Sequence, residues 1–501
     1  MQNYNGTEIA PPDFGAVNYT IVVLYILAIL CIAWFARSRS RDTSGFFVGN
    51  RRMNYIVVGI STFASNMSAL TIMALPAVAF GEYNLFWTIQ YPILLIPAFI
   101  VARYLIPIYR NAGVISIYEY FETRIHVSAR MIGSASFIFL AIGRSGLILL
   151  MPALAFHIVT GVSLDATILT IGVVVTLYTM VGGITAVIWT DFLQACIMLL
   201  GAIVSMIVII SSTGLTQFFD IAEAHNKFQV IRAGFGISEE VTIWLVIFAI
   251  IEGVRAWGIQ QDMTQRYLTT PSTSKAKASM WIAALGYIPF GYMFHFIGIG
   301  LFAYYIVLPD PTVEAMLQNN KADAIYPYFV ATKFPPGLAG LVITSIFAGA
   351  LSSIDSCMNS ASAVCVEDFI KRVQRNKRSD RYYLMLARFM TVIFGVLITA
   401  VAFGFRNIQY AQVIWPLVLG VCTNGLVGLL GLVLWPKPVN KWGVIIGFAA
   451  SYAVFFWCMF ATDVNYLLWP IFGNAVCFLV GIAVSRIIDI ATSNKYYYPD
   501  A

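Results

Sequence analysis

The sequence predicts an all-α integral membrane protein with about 13 membrane-spanning helices, each near the length of roughly 20 apolar residues that crosses a bilayer. Hydrophobic residues make up 59% of the 501 positions and charged residues only 11%, against about 25% charged in an ordinary soluble domain. Apolar runs of this length follow one another along the chain. Because a soluble fold has too little interior to bury so many apolar residues, we expect lipid to be the main solvent.

The predicted spans are apolar stretches of about 18 to 28 residues separated by short polar connections. They cover 16–36, 54–79, 85–109, 130–158, 165–182, 184–212, 241–258, 277–307, 336–366, 382–404, 410–435, 440–461 and 465–487. The join between the fifth and sixth spans, at Gly182 and Gly183, is short. We interpret the whole chain, 1–501, as a single membrane domain.

Basic residues predict the orientation, because they cluster in the connections that follow the odd-numbered spans. They are Arg37, Arg39, Arg41, Arg51, Arg52, Arg110, Arg124, Arg130, Arg266, Lys275, Lys277, Lys371, Arg372, Arg375, Lys377, Arg378 and Arg381. Cytoplasmic connections of membrane proteins are enriched in Lys and Arg, so the N-terminus is predicted outside and the C-terminus inside. This pattern explains the net charge of +6 without a nucleic-acid partner.

The second predicted span carries an unusual number of polar residues between Ser61 and Thr71, ahead of Pro76. Unsatisfied polar groups are costly in lipid. A helix that opens at this point would expose backbone carbonyls such as those of Ala64 and Met67, as cation-binding broken helices do. The alternative is a Ser- and Thr-rich seam that packs against a neighbouring helix.

The ninth span contains Ser352, Ser353, Asp355 and Ser356. At spacings of three and four residues, Ser352, Asp355 and Ser356 share one helix face. Hydroxyl, carboxylate and carbonyl oxygens are the ligands that hard cations prefer. The cluster therefore indicates a cation site, unless Asp355 is a hydrogen-bonded structural acid.

Two further charged residues interrupt apolar runs. Asp191 begins a long apolar helix, where it either binds an ion or interacts with the helix dipole as a capping acid. Arg144 lies deep in the fourth span and requires an anionic partner or a water-filled cavity. Its guanidinium is suited to a bidentate carboxylate of a ligand, and the alternative partner is Glu252 in a structural ion pair.

No catalytic motif accompanies these features. The sequence contains no HExxH, no GxSxG and no P-loop, so neither ATP hydrolysis nor acyl chemistry has a candidate site. We therefore predict a protein that is not an enzyme.

Five segments in this order resemble the sodium/solute symporter family, and within it the bacterial sialic acid carriers most closely. The segments are ASNMSALTIMALPA, YEYFETRI, MVGGITAVIWTDFLQ, QQDMTQRYLTT and IFAGALSSIDSCMNS. The resemblance extends over roughly residues 16 to 430. It implies a LeuT-type core of two inverted five-helix repeats within 54–435, an extra N-terminal helix at 16–36 and additional C-terminal helices at 440–487.

The resemblance also implies ligands. The principal sodium site would use the carbonyls of Ala64, Met67 and Gly349 with the hydroxyls of Ser352 and Ser353. A second sodium site, present in some members, would correspond to Asp191, Ser352, Asp355 and Ser356. Sialic acid carriers typically have serine at the position of Asp355, so this carboxylate would either strengthen the second site or favour a proton as the coupling ion.

The substrate site implied by the resemblance comprises Ser68, Thr71, Phe86, Gln90 and Arg144. Glu252 and Arg255 lie where related carriers have neutral residues. The resulting prediction is a multi-pass, monomeric symporter of the inner (plasma) membrane that imports a small anion such as N-acetylneuraminate with Na+ by alternating access. The alternatives are a symporter for a monocarboxylate, sugar or amino acid, a membrane sensor that binds solute without moving it, and a channel.

Overall fold

The structure is a computed structural model that describes residues 14–37, 42–81, 84–374, 378–407 and 411–492. Within these ranges the regular structure is helical and contains no β-strand, which confirms the all-α prediction. Four of the basic residues used to predict the orientation lie outside the described residues: Arg39, Arg41, Arg375 and Lys377.

The first half of the chain supplies the broken helix and two long helices that surround the centre. Its helices are α1 (Gly15–Ala36), α2 (Thr43–Val48), α3 (Tyr55–Asn66), α4 (Ala69–Phe80), α5 (Gln90–Ile93), α6 (Leu95–Ile100), α7 (Ile106–Ala112), α8 (Ile117–Arg124), α9 (Val127–Thr160), α10 (Leu164–Thr213) and α11 (Leu215–Ala224).

The second half supplies the most deeply buried helix, α17. Its helices are α12 (Thr242–Val254), α13 (Gln261–Leu268), α14 (Thr273–Val307), α15 (Pro311–Gln318), α16 (Ile325–Lys333), α17 (Leu338–Val364), α18 (Lys371–Val373), α19 (Asp380–Phe405), α20 (Ala411–Thr423), α21 (Leu426–Leu434), α22 (Lys441–Ala461) and α23 (Trp469–Thr492).

The described residues contain 11 helices that are long and apolar enough to cross a membrane, or 12 when the bent pair α3 and α4 is counted as one span. The protein is thus a multi-pass membrane protein. The difference from the predicted number lies in α10, where the spans predicted at 165–182 and 184–212 form one element of 50 residues. Gly183 interrupts its helical geometry at φ 58° and ψ −164°, a backbone conformation that only glycine adopts without strain.

The second predicted span is broken, as the sequence predicts. Helix α3 ends at Asn66, α4 begins at Ala69, and their axes differ by 53°. Met67 (φ −86°, ψ 83°) and Ser68 (φ −83°, ψ 170°) leave the helical region. Because the last carbonyls of a helix have no intrahelical partner, the final turn of α3 presents backbone oxygens to its neighbours.

Helix α17 forms the centre of the fold. Every residue from Val342 to Val364 is buried, and the helix packs against α3, α4, α9 and α10. A helix that is buried all round leaves its polar residues without lipid or water as partners. The hydroxyls and the carboxylate of α17 must therefore bind groups on these neighbouring helices.

Candidate ion and substrate sites

The break between α3 and α4 faces the serines of α17. Ser352 Oγ donates hydrogen bonds to the carbonyls of Ala64 and Gly349, both at 3.1 Å. Ser353 Oγ donates to the carbonyls of Ser65 at 2.9 Å and of Gly349 at 3.3 Å. The structure thus brings together four residues of the predicted principal sodium site.

These contacts form a buried group of carbonyl and hydroxyl oxygens, the donor set that suits a hard monovalent cation. Met67, the fifth predicted ligand, lies at the break itself and is fully buried. Ser65 also contributes a carbonyl, although sequence analysis did not assign it. The signal for Ser65 was its position next to Ala64 in the last turn before the break.

Asp191 lies on α10, and its buried carboxylate is hydrogen-bonded to side chains of other helices. Its Oδ2 accepts from Ser61 Oγ at 2.5 Å and from Ser65 Oγ at 3.3 Å. It also forms an ion pair with Arg266 Nη2 at 2.9 Å, and both side chains are fully buried. Asp191 is therefore not a helix cap, and that alternative is wrong, because its partners are side chains of α3 and α13.

Arg266 lies among the residues of the predicted second sodium site. Its Nη2 also contacts the hydroxyls of Ser65 and Ser356, and its Nε donates to Ser61 Oγ at 2.9 Å. Sequence analysis counted Arg266 among the cytoplasmic loop residues, which is wrong, because α13 turns inward and buries it. The motif QQDMTQRYLTT places Asp262 one helical turn before Arg266, but the carboxylate of Asp262 pairs with Arg144, so this spacing does not identify Asp191 as the partner of Arg266.

Asp355 lies beside this network but is paired differently. Its Oδ2 accepts from the hydroxyl of Tyr178 at 2.9 Å, and its Oδ1 accepts from Ser356 Oγ at 3.1 Å. The residue is fully buried. Within the described ranges, no basic side chain forms an ion pair with Asp355, so Asp191 has a guanidinium partner and Asp355 does not.

A cavity of about 200 Å³ adjoins the break in the helix, where Asn66 and Ser68 belong to its lining. Four of the five predicted substrate residues line it, namely Ser68, Thr71, Gln90 and Arg144. Phe86 does not. It is fully buried in an apolar cluster with Val78, Leu245 and Leu467, and the neighbouring Trp87 lines the cavity in its place.

Arg144 is 6% exposed at the inner wall of the cavity. Its Nη2 donates to the carbonyl of Ser65 at 3.2 Å, and its Nη1 lies 3.6 Å from Asp262 Oδ2. Its Nε is buried without a hydrogen-bond partner. The alternative pair with Glu252 is wrong, since Glu252 pairs with Arg255 at 2.7 Å. The longer contact with Asp262 leaves Arg144 incompletely satisfied.

Arg255 and Gln260 line the cavity, and Asp262 lies behind them. Arg255 Nη1 donates to Gln260 Oε1 at 3.0 Å, and Gln260 Nε2 donates to Asp262 Oδ2, also at 3.0 Å. Asp262 Oδ1 is buried without a partner. The roles of Gln260 and Asp262 were not among the predictions, although both residues belong to the motif QQDMTQRYLTT.

Aromatic side chains form much of the remaining wall. Trp87 and Tyr466 stack with ring centroids 6.4 Å apart, and Trp257, Tyr287 and Trp415 also line the cavity. Apolar walls with a few convergent polar groups are typical of sites for small organic ligands. The permanent positive charge of Arg144 favours a ligand with an anionic group at the inner end.

A second buried charge cluster joins the ends of α8, α9 and α17. Asp368 Oδ1 accepts from Arg130 Nε at 2.8 Å and Nη2 at 2.6 Å. Its Oδ2 accepts from the hydroxyls of Ser116 and Ser134, both at 2.6 Å. Arg130 also pairs with Glu122 at 3.0 Å. Both carboxylate oxygens of Asp368 are thus satisfied by protein donors.

Comparison with known proteins agrees with this geometry. The model of the sodium:solute symporter family matches residues 46–450. The sodium/sialic acid symporter of Aliivibrio fischeri is 30% identical over 94% of this chain and 93% of its own length. The human sodium-coupled monocarboxylate transporter 1 is also 30% identical, over 84% of this chain and 69% of its own length.

Among solved structures, a Na+-coupled sialic acid symporter in a substrate-bound, outward-open state, described as revealing a novel Na+ site, has the same fold. It superposes with a TM-score of 0.86 at 25% identity, covering 95% of this chain and 98% of the other. The family match spans most of the chain and includes the broken helix, α17 and the cavity-lining residues other than Tyr466. The chain therefore belongs to the sodium:solute symporter family and is a sodium-coupled membrane carrier, not an enzyme.

Proposed function

We propose that the protein imports a small organic anion together with Na+, and that the anion's carboxylate binds Arg144. The observation that carries this proposal is the carbonyl of Ser65, which accepts both from Arg144 Nη2 at 3.2 Å and from Ser353 Oγ at 2.9 Å. The substrate site and the principal sodium site thus share one backbone oxygen at the break in the helix.

This shared oxygen gives a physical basis for coupling. A cation bound by Ser352 and Ser353 fixes the last turn of α3. The carbonyl of Ser65 in that turn then positions the guanidinium of Arg144. Sodium binding then stabilises the state with a preformed substrate site, which is a difference in affinity between two conformations. The membrane potential contributes about 2.3 kcal/mol per charge per 100 mV to the cycle.

We assign a second coupling cation to the group formed by Ser352, Asp355 and Ser356 with Asp191. The support is a buried carboxylate, Asp355, that lacks a basic partner among the described residues, and the novel Na+ site in the description of the solved relative. Arg266 already neutralises the charge of Asp191, so the carboxylate that is available to a second cation is that of Asp355. A proton on Asp355 is the alternative occupant.

For the architecture, we propose 13 crossings, with α10 contributing two that meet at Gly183. At about 1.5 Å per residue, its 50 residues would exceed twice the hydrocarbon thickness if they were straight. The core then spans 54–435 as two inverted repeats, between the helix at 16–36 and those at 440–487. The N-terminus lies outside and the C-terminus inside the plasma (inner) membrane, and the carrier functions as a monomer.

N-acetylneuraminate is the candidate substrate, with a short monocarboxylate as the second candidate. Sequence identity does not separate them, because the bacterial sialic acid symporter and the human monocarboxylate transporter are both 30% identical to this chain. The cavity favours the larger acid, since polar side chains other than Arg144 also line it, among them Thr71, Gln90 and Gln260. A sensor that binds without transport would show solute binding but no uptake.

Uptake into proteoliposomes tests the transport function. Labelled N-acetylneuraminate, lactate, glucose and proline are compared with and without an inward Na+ gradient. We expect gradient-dependent accumulation of N-acetylneuraminate. Accumulation that does not depend on Na+, or accumulation of a neutral sugar alone, would contradict the proposal.

Calorimetry tests the role of Arg144 in recognition. Purified protein in saturating Na+ is titrated with N-acetylneuraminate and with its carboxyl methyl ester, which lacks the negative charge. We expect at least tenfold weaker binding of the ester, because it cannot form the charge-assisted pair. Equal affinities for acid and ester would remove Arg144 from the substrate site.

A further inference from the structure

The cavity contains a second charged pair, Glu252 and Arg255, at the end of α12. Arg255 begins a π-helical turn, Arg255–Ile259, and its Nε donates to Glu252 Oε2 at 2.7 Å. Both residues line the cavity, and their side chains are 15% and 7% exposed, respectively.

Each member of the pair has a polar atom that remains available. Arg255 uses Nε for Glu252 and Nη1 for Gln260, whereas its Nη2 has no partner within the described part of the chain. Glu252 uses Oε2 for Arg255, and its Oε1 is likewise without a partner among the described residues. Neither atom is sealed from the cavity, in contrast to Arg144 Nε, which is fully buried.

We propose that Glu252 and Arg255 form a second substrate subsite, which binds an uncharged group carrying both a hydrogen-bond donor and an acceptor. Arg255 Nη2 donates to the acceptor of that group, and Glu252 Oε1 accepts from its donor. Adjacent hydroxyls and secondary amides have this pattern. The inference rests on the proposed function, since it adds a second contact to a substrate already held by Arg144.

The charges of the pair determine why the bound group is neutral. The two charges lie 2.7 Å apart and largely cancel, so the pair gives no net attraction to an ion. A second carboxylate on the substrate would approach Glu252 as a like charge, and an ammonium group would approach Arg255 as a like charge. Hydrogen-bond complementarity, not net charge, is then the basis of selection.

Gln260, which lines the cavity, and Asp262, which lies behind it, relate the two subsites. Gln260 and Asp262 bridge Arg255 to Arg144 through contacts of 3.0, 3.0 and 3.6 Å. A substrate that places its carboxylate on Arg144 therefore lies along the wall that Gln260 forms and brings its next polar group toward Arg255. A hydroxylated or N-acylated sugar acid satisfies both subsites, whereas a short alkyl carboxylate satisfies only the first.

The test combines ligand analogues with variants. N-acetylneuraminate is compared by calorimetry with its seven-carbon analogue, which lacks the last two hydroxylated carbons, and with the analogue that has a hydroxyl in place of the acetamido group. For the unmodified protein, we expect one of these analogues to bind about 10- to 100-fold more weakly, because a buried donor or acceptor loses its partner.

The variants Glu252→Gln and Arg255→Gln should bind N-acetylneuraminate more weakly by a similar factor. They should no longer distinguish it from the analogue that binds more weakly to the unmodified protein. Glu367→Gln is the matched control, because Glu367 pairs with Lys371 at 2.6 Å outside the cavity lining, and it should retain the discrimination. Thermal melting of each variant separates loss of folding from loss of recognition.

Three outcomes would overturn the inference. If both variants retain the discrimination between the acid and its analogues, Glu252 and Arg255 do not contact the substrate. If lactate binds as tightly as N-acetylneuraminate, the second subsite contributes nothing, although the proposed anion transport stands. If the unmodified protein binds none of these acids, the proposed function itself fails, and the subsite fails with it.

Discussion

Two buried aspartates, Asp368 and Asp262, differ in how completely their carboxylate oxygens are hydrogen-bonded. Asp368, beyond the end of α17, accepts four hydrogen bonds from Arg130, Ser116 and Ser134. Asp262, in α13 behind the cavity, has one oxygen without a partner and a 3.6 Å contact with Arg144. Arg144 likewise has an unpartnered buried Nε.

The difference indicates what each cluster does. A fully satisfied buried network rigidifies its surroundings, whereas a partly satisfied one is costly unless another group completes it. We interpret the Asp368 cluster as a structural junction of α8, α9 and α17. In the Asp262 and Arg144 cluster, Arg144 lines the cavity and has only a 3.6 Å contact with its carboxylate partner, so its guanidinium is the group that an anionic substrate can complete.

Asp368→Ala should give the largest change, a loss of stability. Removing the carboxylate leaves the guanidinium of Arg130 buried without its main partner, which costs about 3 to 5 kcal/mol in comparable ion pairs. Thermal melting of the protein in detergent measures the effect. Asp165→Asn is the control, because its pair with Arg406 at 3.4 Å is exposed on both sides, and such pairs contribute at most about 1 kcal/mol. Equal melting temperatures for the two variants would contradict the structural role.

Arg144→Ala should mainly affect substrate binding. Truncating one partner of a buried charge pair between protein and ligand costs about 2 to 5 kcal/mol, or roughly 30- to several-thousand-fold in affinity. Arg144→Lys should fail as well, since a point charge does not replace the guanidinium fork. Calorimetry with N-acetylneuraminate measures the loss.

A structural role for Arg144 predicts the opposite result. Arg144→Ala would then lower the melting temperature as much as Asp368→Ala does. Arg144→Ala combined with Asp262→Ala would recover much of that stability, because no charge would be left buried alone.

Ser352→Ala/Ser353→Ala should raise the Na+ concentration for half-maximal uptake. Each substitution removes a hydroxyl oxygen that the surrounding apolar helices cannot replace. At about 1 to 3 kcal/mol for a lost buried partner, the expected increase is roughly 5- to 150-fold. Uptake at varied Na+ measures it, and an unchanged Na+ dependence would exclude these serines from the principal site.

Asp355→Asn should change the stoichiometry with little effect on stability. The amide retains hydrogen-bonding groups for Tyr178 and Ser356, so we expect stability to change by only about 1 kcal/mol. The charge moved per substrate, measured from reversal potentials in proteoliposomes, should fall by one. If both the stoichiometry and the pH profile stay unchanged, Asp355 is a structural acid.

Sequence patterns predicted the membrane helices because length and apolarity determine which segments lipid accepts. They also predicted the break near Met67, since the polar residues from Ser61 to Thr71 interrupt a span. The position of Arg266 was not predictable from these patterns. A basic residue after a span has the same local sequence whether it lies in a loop or folds back to pair with Asp191.

The sequence by itself determined that the chain spans a membrane many times, that polar residues interrupt the span that opens at its middle, and that Ser352, Asp355 and Ser356 share one helix face. These conclusions depend on local composition and helical spacing, which the chain carries at every point. Only the tertiary structure decided the partners of Asp191 and Arg144, which are Arg266 and Asp262. These pairs join residues from separate helices, and the packing of the whole bundle decides which charges meet.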